Sequence, residues 1–511
     1  MSMMLSLFSC TQSRDWPKKK KKKKKKKSTT KEYYAVLISM RPRLPSLFKQ
    51  QVRRFFPLSS MSQLQQLFNS AVRPLPAISD PDFGSNFDSF GSYKVVLLGD
   101  GSHGTSEFYR ARAQITKRLI ERHGYTMVAV EADWPDAEAI DRYVRQRPGW
   151  KSGIAGKINK DHVPFARFPT WMWRNREMQE LVEWMRDRNS KLPMEKRTGF
   201  YGLDLYSMGA SIQAVVQYLD HVDPEAARTA RRRYGCLQPW VEDPSMYGLA
   251  SLRGMTDCEE GVVKTLRDLL EQRINYLNQT AEIDGEEFHS SEQNAWVVRD
   301  AEQYYRAMYY SSASSWSMRD THMVQTLVRL IHSKPSGSKA IVWAHNSHVG
   351  DARYTAMGSR RNEVNVGQLC RENFGADNVA ILGCGTHTGT VAAAHEWDDD
   401  LEIMKVRPSR NDSWEMLAHN TGVPSFVLDL RRDQIEPSVR AALAAEPLRL
   451  ERFIGVIYRP DTERLSHYSQ AFLHKQMDAY IWFDQSEAVK PLENVQPKTP
   501  LGTEEMYPFG L

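Results

Sequence analysis

The sequence predicts an α/β fold: a mainly parallel central sheet flanked by helices, with a sizeable helical insert between about residues 135 and 335 forming one wall of a cleft. Three observations predict it. The apolar runs Val95-Val96-Leu97-Leu98, Met127-Val128-Ala129-Val130 and Ala340-Ile341-Val342-Trp343 read as buried strands. Each breaks off into titratable residues: Asp100 and His103 among glycines, Glu131 and Asp133, and His345 and His348. Amphipathic helical patterns lie between them. In open α/β sheets ligands gather outside the carboxyl ends of the strands, so three such ends pool acids and bases in one crevice.

Taken in order, the folded body is expected over 61–511, opening with a helical pattern at Met61 and a Pro/Asp/Gly-rich connection through Gly91. After the first strand, residues 106–123 place Phe108, Ala111, Ile115, Leu119 and Ile120 on one helical face, with Thr105 or Ser106 as N-cap and Gly124 as stop. With the strand ending at Glu131 this forms a strand, helix, strand unit expected to be a right-handed parallel crossover. Helices follow at 135–145, 172–188, 211–219, 259–279, 291–311 and 319–333, with a short strand, 199–203, ending at Asp204. Trp296, Tyr304, Tyr305, Tyr309, Tyr310 and Trp316 in the insert either line an apolar cleft or pack between helices. Later strands are expected at 379–382, 425–428, 453–457 and 478–483.

The chain has 511 residues, 41% of them hydrophobic, and a net charge of +7. That charge is misleading as a whole-chain figure. The first sixty residues, including the lysine run 18–27, carry seventeen Lys and Arg against Asp15 and Glu32, which leaves the rest at −8. Polyanion binding therefore has no basis in the folded body, and nucleic acid is not an expected partner there. Residues 1–60 are read as a disordered basic leader. Residues 40–60, basic and free of acids, have the character of a mitochondrial presequence if translation starts near Met40; otherwise a cytoplasmic location is expected. Five cysteines without a C-x-x-C pair indicate neither a disulfide framework nor a thiolate zinc site, and fit a reducing compartment. No apolar run is long enough to span a bilayer, so a soluble protein with no transmembrane segment is expected.

The strand ends carry the chemistry. His103, between Gly101 and Gly104, is placed for proton transfer near neutral pH. Asp100 can orient its ring, Glu131 adds a second carboxylate, and Arg112 can reach back to these acids, although an exposed helical arginine is the plainer reading. His345 and His348 suit oxyanion stabilisation, leaving-group protonation or metal binding. These residues leave open whether water is activated by imidazole or by a divalent metal; no cofactor is firmly indicated. Ser102 and Ser347 lack the Gly-x-Ser-x-Gly context of a nucleophilic serine.

The motifs Gly99-Asp-Gly-Ser-His-Gly-Thr with Glu107-Phe108 and Arg112, Glu131-Ala-Asp-Trp-Pro-Asp, Phe200-Tyr-Gly-Leu-Asp-Leu-Tyr, Arg319-Asp320 and Trp343-Ala-His-Asn-Ser-His-Val together resemble the erythromycin esterase family. The resemblance runs from about residue 93 to 494. It implies hydrolysis of a small-molecule carboxylic ester or lactone by water activated at His103. It further implies supporting roles for Asp100, Arg112, Glu131, His345 and His348, in a cleft between an α/β core and helical additions. The family's usual glutamate is Asp100 here, which withdraws the carboxylate by about one carbon–carbon bond length.

Overall fold

The computed structural model describes residues 58–147, 164–255, 257–279 and 285–493. The lysine run, Cys10 and the basic segment up to residue 57 lie outside the described residues. Eleven strands are described: β1 Val72–Pro74, β2 Val95–Asp100, β3 Met127–Asp133, β4 Gly199–Asp204, β5 Ala340–His345, β6 Val379–Ala393, β7 Glu402–Val406, β8 Ser425–Asp429, β9 Arg449–Arg452, β10 Tyr468–Ala471 and β11 Ala479–Ser486. Nine form one sheet in the order β1-β8-β11-β6-β2-β5-β3-β4, with β7 alongside β6; β9 and β10 pair separately. The run from β11 to β4 is parallel throughout, and β8, β1 and β7 join antiparallel.

Every residue of β2, β3 and β5 is buried, as expected for parallel strands covered on both faces. Alternate side chains divide between two cores. Val96, Leu98, Val128, Val130, Ile341 and Trp343 pack on one side, and Val95, Leu97, Met127, Ala129, Ala340 and Val342 on the other. The helix Ser106–His123 buries the five apolar residues expected of it and ends at Gly124, whose φ of 72° is left-handed.

Several expectations need correction. β2 and β3 do not pair: β5 stands between them, parallel to both, so the crossover skips one strand position. The expected helix 172–188 is interrupted, Thr170–Trp173 being followed by Arg176–Ser190, and 259–279 divides at Gln272. The strand expected at 379–382 runs on to Ala393. Residues 453–457 are not a strand, because Ile454 instead exchanges backbone hydrogen bonds with the loop after β2. Cys236 and Cys258, 22 residues apart in sequence, form a disulfide with Cα atoms 5.7 Å apart, against the expectation of none from the lack of a C-x-x-C pair.

The helical insert is interrupted by β4, the sheet's edge strand. Beyond it, residues from Leu205 to Tyr305 form a separate core around Met208, Leu219, Tyr247 and Phe288. Among the described residues no helix is long and apolar enough to cross a membrane.

The loop after β2 is set by close backbone approach. A Cβ on Gly104 would lie 1.9 Å from the Ala392 carbonyl oxygen, and one on Gly101 2.7 Å from that of Cys384. Neither contact is with a side chain that can move aside. Gly104→Ala is therefore expected to destabilise the fold by about 1–3 kcal/mol, the usual range for overpacking, as a lower urea midpoint. An unchanged midpoint would show that β6 yields to the added methyl.

Candidate functional site

His103 is fixed through its backbone. Its N–H donates to Ile454 O at 3.1 Å and Ile454 N–H donates to Gly101 O at 2.9 Å, while Gly104 O accepts from Ala392 and Val489 N–H. The Ser102 and Thr105 hydroxyls bond each other, so Thr105, the N-cap of the following helix, makes no side-chain cap.

Behind His103 lies a buried ion pair. Arg112, 1% exposed, is not the surface arginine that helical position alone would suggest: its Nη1 meets Asp100 Oδ2 at 2.6 Å. Its guanidinium lies 4.5 Å from the Trp343 ring centroid and 4.7 Å from that of Tyr109. Burial opposes the Asp100 charge, but Arg112 and His103 outweigh it and hold the carboxyl below the usual range. Asp100 Oδ1 and His103 Nδ1 are 3.3 Å apart, yet neither makes a hydrogen bond. His345 Nε2 is likewise buried without a hydrogen-bond partner, in a ring 4.8 Å from that of His103.

On the other side of His103, its Nε2 lies 3.9 Å from Glu131 Oε1. That carboxylate is the hub of a second network. Glu131 Oε2 accepts the His345 N–H at 2.8 Å; Oε1 meets Arg319 Nη2 at 2.8 Å and His348 Nε2 at 3.2 Å. Arg319 also pairs with Asp204 at 2.6 Å, and His348 Nδ1 lies 2.9 Å from Asp320. The Trp316 ring stacks on His348 with centroids 4.4 Å apart. Burial raises the Glu131 pKa, but His348 and Arg319 prevail and hold it well below the carboxylate range. Burial, reinforced by His103, drives His345 down to about 3, so this ring is neutral. Burial also opposes the His348 charge, but Asp320 and Glu131 lift it to about 9. Arg319 Nη1 lies 3.0 Å from His348 Nε2, while its Nη2 donates to Glu131 Oε1 at 2.8 Å.

All six residues singled out from sequence therefore meet in one cluster. Only His103 and Glu131 line the adjoining cleft, together with Asp204 and Arg319; Asp100, Arg112, His345 and His348 pack behind that wall. Of the six aromatics expected either to line a cleft or to pack between helices, Tyr304 and Trp316 reach the cleft. Tyr305 is buried in the insert's own core and Tyr310 is 65% exposed. Asp204, Arg319 and Asp320 also belong to the cluster. Asp204 ends β4, a signal the sequence carries, whereas Arg319-Asp320 stands out in the sequence only as part of a motif.

Asn346, next to His345, donates to the Cys384 carbonyl at 2.8 Å and approaches Glu451 at 3.4 Å. Burial, with the charge of Glu415, pushes the Glu451 carboxyl from 4.5 up to about 8. Between those values the unfolded chain has lost a proton that the folded chain keeps, so this group's contribution to stability is present below pH 4.5 and withdrawn as pH rises towards 8. Glu451→Gln is expected to lose less melting temperature than the parent between pH 5 and pH 8. Parallel curves would show that Glu451 is ionised in the fold.

Among the described residues no group of three or more His, Cys, Asp or Glu side chains is arranged to hold a metal ion. The family model for erythromycin esterase matches residues 120–486. This span takes in Glu131, His345 and His348 and begins after Asp100, His103 and Arg112. The chain is 23% identical over 410 residues to a Bacillus subtilis (strain 168) protein named "Putative hydrolase YbfO", covering 76% of this chain and 83% of that one. It is 22% identical over 336 residues to erythromycin esterase type II of Escherichia coli, covering 62% and 76% respectively. Among solved structures, one described as a succinoglycan biosynthesis protein has the same fold, with a TM-score of 0.68 and 18% identity over 85% of this chain and 99% of that one.

Proposed function

The chain belongs to the erythromycin esterase family, and from that premise we propose that it hydrolyses a carboxylic ester or lactone with water activated by His103. The observation that carries this reading is the position of His103 at the cleft wall, its two ring nitrogens facing two different carboxylates. The 3.9 Å between His103 Nε2 and Glu131 Oε1 is too long for a hydrogen bond and leaves both atoms able to hold a water between them.

In the proposed reaction His103 Nε2 takes a proton from that water as its oxygen adds to the substrate carbonyl. The tetrahedral intermediate then collapses with cleavage of the bond to the alkoxide, which receives the proton from His103. Asp100, anchored by Arg112, faces His103 Nδ1 at 3.3 Å and offsets the ring's transient charge. Arg319, at the cleft wall, supplies positive field to the developing oxyanion, with His348 behind it. His345 acts as a positioning residue against the His103 ring.

Hydrolysis of a panel of activated esters and lactones in ¹⁸O-water tests the reading. Each turnover is expected to place one solvent oxygen in the acid product. No hydrolysis of any member, or label in the alcohol, would overturn it.

A further inference from the structure

The disulfide of the helical insert lies outside the cleft, yet it is tied to the cleft wall. Cys236 follows the helix Pro224–Tyr234 and is half-buried; Cys258 is the N-cap residue of the helix Glu259–Glu271 and is 3% exposed. The bond joins residues 22 apart and closes a loop that carries the helix Pro244–Leu252. The tip of that loop is exposed, Leu252 at 40% and Met255 at 72%. An exposed tip adds little burial to hold the loop, which leaves the covalent tie to fix its position.

Contacts lead from this loop to the site without a gap. Tyr247, on the loop's helix, accepts the Cys258 N–H at 3.2 Å and donates to Glu302 Oε1 at 2.6 Å. Glu302 is buried in the helix Glu286–Met308. One turn on, Arg306 of the same helix pairs at 2.9 Å with Glu259, the neighbour of Cys258. A Cβ on Gly248 would lie 2.0 Å from the Tyr305 carbonyl oxygen, so the two helices meet backbone to backbone and a shift of one moves the other. Tyr304 lines the cleft, its ring edge-on to that of Tyr206 with centroids 5.6 Å apart. The Arg319 guanidinium in turn lies 5.0 Å from the Tyr206 ring centroid.

We propose that the Cys236–Cys258 bond is a redox switch for the cleft, active when oxidised and turned off by a small-molecule thiol. The reductant's thiolate attacks the more accessible Cys236 Sγ; the S–S bond breaks, and Cys258 leaves as a thiolate that takes up a proton. A second reductant thiolate then displaces Cys236, so one cystine becomes two cysteine thiols while two reductant thiols become one disulfide. With the tie cut, Tyr247 and the start of the helix Glu259–Glu271 part from Glu302 and Arg306, and the wall of Tyr304, Tyr206 and Arg319 loosens. Control of turnover rests on the hydrolytic reading; the hold of the bond on the cleft wall does not.

The full chain in glutathione buffers from fully oxidised to fully reduced tests it, with the bond followed by thiol alkylation and mass spectrometry. Reduction is expected to lower kcat/KM for 4-nitrophenyl butyrate, or for whichever ester of the panel is cleaved faster, by roughly fivefold or more, the lower end of the usual coupling between two sites. Hydrogen exchange in peptides spanning residues 299–308 is expected to quicken by a similar factor. The double variant Cys236→Ser, Cys258→Ser is expected to match the reduced chain in every buffer. A measurable rate that stays unchanged once the bond is open, a glutathione response that persists in the double variant, or exchange in 299–308 that does not follow the bond overturns the switch. So does a bond that stays closed at the reducing limit. Faster exchange in the reduced chain, with no ester or lactone cleaved by either form, sustains the hold on the cleft wall and overturns the hydrolytic reading. Should the double variant not fold, the wild-type responses still decide.

Discussion

His103→Asn is expected to lower kcat/KM for ester hydrolysis by about 10²- to 10⁴-fold, the usual contribution of a general base. The loss should fall on turnover without a matching loss of stability. His103 is held in place by its backbone, through the Ile454 bond at 3.1 Å, and its Nδ1 makes no hydrogen bond that the substitution would break. The melting curve should therefore stay close to that of the parent while the rate collapses. His345→Asn provides the contrast. That ring is neutral and sits behind the cleft wall, so its removal should cost less in rate than removal of His103. Full turnover by a folded His103→Asn variant would dispose of the mechanism. An equal loss from His345→Asn would move the base to the other ring.

The parts of this site legible in the sequence are those that end strands. β2, β3 and β5 are buried on both faces, so they appear as unbroken apolar runs, and the first polar residue after each run stands at the sheet's carboxyl edge. Asp100, Glu131 and His345 were visible for that reason. The order of those strands was not, because nothing in the runs at 95 and 127 says that a strand 200 residues later will lie between them. Arg319 was hidden for a related reason. Helical periodicity identifies its helix, but its pairing with Glu131 and Asp204 depends on how that helix docks on the strand ends. The extension of β6 beyond Leu382 runs through Gly-Cys-Gly-Thr-His-Thr-Gly-Thr and so resembles a loop. It is nevertheless a strand, because Gly383 and Gly385 leave room for Met477 and the Tyr480 hydroxyl, letting β11 pack alongside.

Arg112→Met is expected to be the most damaging single change to stability around the site, at about 3–5 kcal/mol, the range for stranding one member of a buried ion pair. Methionine keeps much of the packing between Trp343 and Tyr109 but leaves the Asp100 carboxylate, 1% exposed, without its strongest counter-charge. The pH dependence gives the mechanism away. In the parent, Arg112 holds the Asp100 pKa below 3.8, so its contribution is present above that pH and lost on acidification. In the variant, burial with no guanidinium raises the pKa above that of the unfolded chain, so stability is lost as pH rises. Both effects make the deficit largest near neutral pH and smaller towards pH 4. The companion change Asp100→Asn should recover most of the loss when added to Arg112→Met, because the stranded charge is then gone. Urea midpoints of the parent, both single variants and the double variant would measure this coupling. A deficit independent of pH and untouched by Asp100→Asn would place the role of Arg112 in its stacking on Trp343 and Tyr109 instead of in its charge.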